Sequence, residues 1–180
     1  MFGIICFITF FGLILVVFSD PLIITDCGNE DDLIKIKNIR MMPDELPIPG
    51  NITLSAEIEV NKDLAGAQLD LEVSIQKHFI FWLPIPCSSL GSCAYDVCQV
   101  LDNKFCVTGC PPLLANNGIP CLCDTIKAGN YSISNQRINI PAIPGYFSWL
   151  ATGYYRADLK LRDRTANKYV GCLHIEVTIV

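Results

Sequence analysis

Apolar side chains fall at every second position in five separate stretches of this chain, and that period constrains its fold more than any other feature. Ile34, Ile36 and Ile39 are interleaved with Lys35 and Lys37. Ile52, Leu54, Ala56, Ile58 and Val60 alternate with Thr53, Ser55, Glu57 and Glu59, and Leu69, Leu71, Val73 and Ile75 alternate with Asp70, Glu72 and Ser74. Tyr155, Ala157, Leu159 and Leu161 repeat the pattern against Arg156, Asp158, Lys160 and Arg162. So do Leu173, Ile175, Val177 and Ile179 against His174, Glu176 and Thr178. Successive side chains of a strand point to opposite faces, so each stretch predicts a strand with one buried face. Pro47-Ile-Pro-Gly-Asn51 and Asn61-Lys-Asp63 supply turns between them, and one short helix is expected around Ala94 to Leu101. Many short strands and one helix predict an all-β fold, an antiparallel β-sandwich. The Cys…Trp…Cys spacing of immunoglobulin domains is missing.

Residues 1–19, MFGIICFITFFGLILVVFS, carry no charged side chain and read as a signal peptide, with Val17 and Ser19 small enough to flank a cut before Asp20. An uncleaved anchor is the alternative reading. It would want basic flanks, whereas an acidic segment with Asp26, Glu30, Asp31 and Asp32 follows. Residues 20–180, about 160 in number, suit a single domain with a real core. A net charge of −5 argues against a nucleic-acid partner, which would call for a basic face. With a pI near 4.9 the chain would be almost uncharged in a compartment near pH 5, where its repulsion from anionic membranes would fade.

Of ten cysteines Cys6 leaves with the signal peptide, and an odd number remains. Behind a signal peptide such a density reads as a disulfide framework. Zinc is the competitor, suggested by Cys121-Leu-Cys123 with Cys106 and Cys110 nearby, but Cys-x-Cys is tighter than the usual chelating pair. No metal or other cofactor is expected. Eight paired cysteines allow about 105 connectivities, and sequence does not choose among them.

Two stretches are apolar without alternating. His78-Phe-Ile-Phe-Trp-Leu-Pro-Ile-Pro-Cys87 sets Phe79, Ile80, Phe81, Trp82 and Leu83 in a row, and Ile138 to Leu150 mixes turn formers with Tyr146, Phe147, Trp149 and Leu150. They fit either a strand buried on both faces with loops folded over the core, or an apolar rim and cavity that admits a lipid tail and touches a bilayer, where indole is favoured. A carrier needs such a cavity: at about 0.8 kcal/mol per methylene, a long acyl chain costs more than about 10 kcal/mol to bring into water.

Groups for catalysis are scarce. His78 lies in an apolar run, His174 falls on the exposed parity of the last strand, and no Gly-x-Ser-x-Gly, His-Glu-x-x-His or phosphate-cradling loop occurs. Asp96 with Asp102 could form a glycosidase-type carboxylate pair, but solvated surface acids are the simpler reading. The chain reads as a binding protein without a catalytic site.

Pro49-Gly-Asn-Ile-Thr-Leu-Ser55, Trp82-Leu-Pro-Ile-Pro-Cys87 with Gly91-Ser-Cys93, Gly118-Ile-Pro-Cys-Leu-Cys123, the Gly129-Asn-Tyr-Ser132 turn and Ser148-Trp-Leu-Ala-Thr-Gly-Tyr-Tyr-Arg156 together resemble the ganglioside GM2 activator family of the MD-2-related lipid-recognition superfamily, from Asp26 to the C-terminus. The resemblance implies a cup-shaped sandwich with an apolar cavity. Such a protein lifts a glycosphingolipid from a lysosomal membrane and presents it to a β-hexosaminidase, doing no bond chemistry itself. It further implies bridges Cys27–Cys172, Cys87–Cys93, Cys98–Cys123 and Cys110–Cys121, which leaves Cys106 as a free thiol or an intermolecular link. The Trp82 segment and the loop from Ser148 to Gly153 would touch lipid and membrane, and Asn51 would be glycosylated. Asn130, in Asn-Tyr-Ser, is a second sequon. The expected residence is the lysosome or the extracellular space, reached through the secretory pathway. A sterol or phospholipid carrier and a lipid-sensing receptor subunit of the same superfamily are the rival readings.

Overall fold

The computed structural model describes residues 6–9, 12–15, 22–86, 93–107, 109–143, 145 and 152–180. In chain order its strands are β1 (Cys6–Thr9), β2 (Gly12–Leu15), β3 (Ile23–Asp26), β4 (Ile34–Met42), β5 (Glu45–Leu46), β6 (Gly50–Val60), β7 (Leu69–His78), β8 (Trp82–Pro84), β9 (Cys93–Asp96), β10 (Gly129–Ile140), β11 (Gly153–Asp163) and β12 (Lys168–Ile179). β1 and β2 form a two-stranded sheet of their own. β10-β6-β4 form a three-stranded antiparallel sheet, and β3-β12-β11-β7-β8 a larger one, with β5 added to the end of β12 and β9 added to β7. The all-β sandwich expected from the alternation is the architecture observed. Among the described residues no helix is long and apolar enough to cross a membrane.

The five alternating stretches are β4, β6, β7, β11 and β12, with their apolar sets inward. The offset from Ile36 to Ile39 has a structural cause. A bulge between Lys37 and Arg40 puts Asn38 in the left-handed region at φ 51°, where its amide donates to Glu57 Oε2 at 2.6 Å. On the other flank of β6, between Ile133 and Gln136, Asn135 takes φ 47° while its backbone N–H donates to Ser55 Oγ. Both bulges restore the inward parity of their strands around the central β6.

Two expectations are corrected. Gly129-Asn-Tyr-Ser132 is no turn but the start of β10, in register with β6 from Val60. Its outward side chains Asn130, Ser132 and Ser134 look like turn formers, while Tyr131 and Ile133 point in. The expected helix over 94–101 also starts late. Residues 94–96 belong to β9, and α1 (Val97–Val100) begins where Asp96 accepts the Gln99 N–H at 2.8 Å as an N-cap. A π-helical turn over Leu101–Phe105 and α2 (Pro112–Ala115) follow.

The sheets close on each other at two ends. At one, Val60, Leu64, Leu69, Cys123, Leu161 and Val170 are buried together, and Leu69 is wholly inaccessible. At the other, Ile85, Tyr155 and Val177 are buried with Leu22, Met41, Leu46, Ile75, Ile175 and Ile179 against them. Between the ends the inward side chains Ile36, Leu54, Leu71, Val73, Leu159 and Leu173 are only half-buried. The middle of the sandwich is loosely filled.

Among the described residues three disulfides have both cysteines in place and staple this frame. Cys27–Cys172 ties β3 to β12 across 145 residues, a loop length for which closure entropy contributes on the order of 4 to 5 kcal/mol. Cys98–Cys123 carries α1 into the buried end, as the resemblance implies. Cys93 is also disulfide-bonded, and Cys87 lies outside the described residues. The expectation of Cys110–Cys121 does not hold. Cys121 pairs with Cys106, and Cys110 is the exposed free thiol. The π-helical turn delivers Cys106 beside Cys121, with Cα atoms 6.1 Å apart, whereas Cys110 lies past the Gly109 turn at φ 113°. Alkylating the native, unreduced protein and mapping its peptides should place the label on Cys110 and leave 106 linked to 121; a label on Cys106 would contradict this pairing.

Candidate functional site

The loose middle contains an apolar cavity of about 260 Å³ between the two sheets. Ile34 and Ile36 of β4 line it from the small sheet. Leu71 of β7, Leu159 and Leu161 of β11, and Gly171, Cys172 and Leu173 of β12 line it from the large sheet, and Val97 of α1 completes the wall. Hydrocarbon is the ligand chemistry such a wall accepts. Ile34, Ile36, Leu71, Leu159, Leu161 and Leu173 are the inward parities that sequence reads as ordinary core. Alternation shows which side chains face inward; it does not show whether the opposing face comes close enough to fill the space.

Beyond the cavity, the inward face of β7 continues through Val73 and Ile75 to Lys77, and β8 folds back on β7 with His78 opposite Trp82. Phe79, Ile80 and Phe81 form the tip of this hairpin, closed by the Phe79 N–H donating to the Phe81 carbonyl at 3.2 Å. The tip is exposed: Ile80 is 92% accessible and Phe81 64%, with Phe79 and Leu83 also on the surface. The reading of this segment as a strand buried on both faces is excluded by that exposure. The tip thus leaves several large apolar side chains next to one another in water, where burial against another apolar surface would be favourable.

Trp82 behaves differently from its neighbours. Its ring lies on the outer face of the large sheet, half-buried, with the Arg156 guanidinium 4.4 Å above it and Tyr154 and His78 beside it at 5.4 and 5.0 Å. Arg156 is fixed in turn by two hydrogen bonds to Gln76 Oε1. Trp82 therefore anchors the base of the hairpin and lines no part of the cavity. Tyr146, Phe147, Trp149 and Leu150 lie outside the described residues.

Lys77 is buried at 6% accessibility, its Nζ 5.0 Å from the Phe79 ring centroid and 5.3 Å from that of Tyr155. Burial lowers the Lys77 pKa from its ordinary value and pushes the Tyr155 phenol up to about 12. Asn51 and Asn130 are both exposed, as a glycan on either requires. The two acids considered as a catalytic pair have structural roles. Asp96 caps α1 and pairs with Arg164, and Asp102 accepts the Cys123 N–H at 3.2 Å.

No protein-family model matches the chain. Against individual proteins it is 32% identical over 159 residues to the ganglioside GM2 activator of Mus musculus, covering 86% of this chain and 79% of that one. It is 34% identical over 159 residues to the ganglioside GM2 activator of Macaca fascicularis, covering 86% and 80%. The chain belongs to the ganglioside GM2 activator family. Among solved structures it is similar to a Niemann-Pick type C2 protein from the Japanese carpenter ant and to chicken MD-1 complexed with lipid IVa. Each aligns with a TM-score of 0.42, at 11% and 15% identity, covering 88% and 91% of this chain and 99% and 94% of the other.

This ganglioside GM2 activator relative also carries a titratable network on the outer face of β11 and β12. His174 Nδ1 lies 2.6 Å from Asp158 Oδ1 and its Nε2 3.1 Å from Glu176 Oε1, while the Tyr154 hydroxyl donates to Glu176 Oε2. Two carboxylate acceptors, one at each ring nitrogen, call for two N–H donors, which only the imidazolium has. The bonds to Asp158 and then Glu176 accordingly raise the His174 pKa above 6.5, against a smaller opposing effect of burial. The bond from Tyr154, and then that from His174, lowers Glu176 below 4.5. A raised histidine stabilises the fold below its unfolded pKa, and that contribution is lost as pH rises through the folded value. A depressed carboxylate stabilises above its unfolded pKa and loses that contribution as pH falls through the folded value. Both are present between 4.5 and 6.5. Replacing His174→Asn should therefore lower the melting temperature more at pH 5.5 than at pH 8, as measured by calorimetry at both; equal losses would contradict the linkage.

Proposed function

We propose that this protein binds a lipid with its apolar tail between the two sheets, takes it up through the Phe79–Phe81 hairpin tip resting on a membrane, and carries it without chemistry of its own. The observation that carries this reading is the apolar cavity inside a sandwich whose ends are closed and whose middle is loosely filled. A well-packed domain leaves no such space, because interiors otherwise fill to crystal-like density. The volume lies just below the usual range for ligand pockets, so it suits part of a lipid tail with the head-group left outside.

Membership of the ganglioside GM2 activator family supports a finer reading, in which the lipid is a glycosphingolipid of the GM2 type and the sugar left outside is presented to a β-hexosaminidase. On that reading residues 1–19 are removed as a signal peptide, Asn51 and Asn130 carry glycans, and the protein works in the lysosome or outside the cell. The pH window of the His174 network fits an acidic compartment.

Transfer of fluorescent GM2 between vesicles at pH 5 tests the proposal with two variants. Leu159→Trp, which fills the cavity, should cut transfer at least about tenfold, since losing even two methylenes of burial costs about 1.6 kcal/mol. Ile80→Asp, at the exposed tip, should leave the melting temperature unchanged while weakening vesicle binding and slowing transfer. Transfer by both variants at the wild-type rate would overturn the reading.

A further inference from the structure

We propose that the outer face of the large sheet is a proton-operated lock on the β7–β8 hairpin. With His174 protonated, its bond to Glu176 leaves Arg156 clamped over Trp82 and the hairpin fixed; with His174 neutral, Glu176 turns to Arg156 and the hairpin loosens. The use of this lock in lipid uptake rests on the reading of the hairpin tip as the part that meets a membrane, whereas the lock itself does not.

The parts of the lock are contiguous. In the register of the large sheet Asp158 stands opposite His174, Arg156 opposite Glu176, and Gln76 opposite Arg156. Alternate residues of a strand share a face, so these side chains lie together on the outside of the sheet. Glu176 is the junction. Its Oε1 meets His174 Nε2 at 3.1 Å, its Oε2 accepts from the Tyr154 hydroxyl, and the positive charge of Arg156 acts on it from the neighbouring strand. Two of these neighbours run on to the hairpin. The Tyr154 ring lies 5.4 Å from Trp82, and the Arg156 guanidinium lies 4.4 Å above Trp82 while bonding to Gln76 Oε1 at 2.9 and 2.6 Å. Trp82 pairs with His78 at the base of the hairpin, and the chain between the two is the exposed tip Phe79–Phe81.

The imidazolium donates to both carboxylates. On losing one proton it keeps the other at Nδ1, where the contact with Asp158 is the shorter at 2.6 Å, and Nε2 then turns a lone pair on Glu176 Oε1. Two acceptors so close repel, so Glu176 leaves Nε2. Among the described residues the charged groups that face His174 are Asp158, with Arg156 and Lys160 to either side of it, from β11 and Glu176 from β12; β3 places Thr25 opposite His174 and Ile23 opposite Glu176. Arg156 is the cation opposite Glu176, so the freed carboxylate is drawn to it. A guanidinium paired in this way gives up part of its hold on Gln76 and on the Trp82 ring. The bonds to Asp158 and then Glu176 keep the His174 pKa above 6.5, so the lock is set at mildly acidic pH and released as pH rises through that raised value. Glu176, held below 4.5, stays ionised throughout.

NMR of the full-length protein carrying fluorotryptophan, with no lipid present, tests the lock from mildly acidic to mildly alkaline pH. Trp149→Phe identifies the fluorine signal of Trp82, and the imidazole signals follow His174. The Trp82 signal should titrate with the same midpoint as His174, and Asp158→Asn should lower both midpoints together. Glu176→Gln should leave His174 titrating while Trp82 goes flat; His174→Asn should also flatten Trp82, and either of these two variants suffices if the other does not fold. The Phe79 amide, which donates to the Phe81 carbonyl, should lose about threefold in protection from hydrogen exchange as the lock is released, the effect of one lost cation–π contact. A wild-type Trp82 signal that stays flat, a Trp82 titration that survives in His174→Asn or Glu176→Gln, or unchanged Phe79 protection overturns the lock. None of these readouts involves lipid, so such a result leaves the lipid-carrying reading intact, and failure of lipid transfer leaves the lock intact.

Discussion

The fold depends on how its two larger sheets are held: packed on each other at the ends, and kept apart in between. Leu69, Cys123 and Val170 close one end, Ile85, Tyr155 and Val177 the other, and Cys27–Cys172 fixes the outer strand of the large sheet to β12. Burial at the ends and constraint of the unfolded chain by disulfides together relieve the middle of the need to pack tightly. A domain without these staples would gain stability by collapsing the space between Ile36 and Leu159; here the covalent frame offsets the burial forgone. The apolar void is thus a consequence of where the stability is placed.

The hairpin β7–β8 applies the same logic at the mouth. Its base is immobilised by Trp82 beneath Arg156, which is itself held by Gln76, so its tip can carry exposed Ile80 and Phe81 without folding back over the cup. Lys77 sits where the apolar interior meets this tip. The outer face contributes through charge, because the His174, Asp158 and Glu176 network gives the large sheet its greatest electrostatic support at mildly acidic pH.

Much of the fold was legible in the sequence because a strand with one buried face must alternate, and β4, β6, β7, β11 and β12 do. β10 was hidden because asparagines and serines on its outward face mimic a turn. The three-residue step from Ile36 to Ile39 became intelligible only with the bulge at Asn38. The site was less legible. Unbroken apolarity from Phe79 to Leu83 did mark the exposed tip, since neighbours on a strand cannot share one face, but it could not show that Trp82 turns to the outer surface. The cavity wall, with Leu71, Leu159 and Leu173, is chemically the same as a filled core, and only the distance between sheets distinguishes the two. The choice between Cys106 and Cys110 depended on a π-helical turn that local sequence does not announce.

The central claim, that a lipid tail lies between the sheets, is tested most directly by methyl NMR of the protein mixed with a lipid carrying a spin label at the end of its acyl chain. The account predicts that the methyl signals of Ile36, Leu71, Leu159 and Leu173 broaden and recover when the label is reduced. Broadening confined to Ile80 and Leu83, with the cavity methyls unchanged, would mean that the lipid touches only the surface and would contradict it.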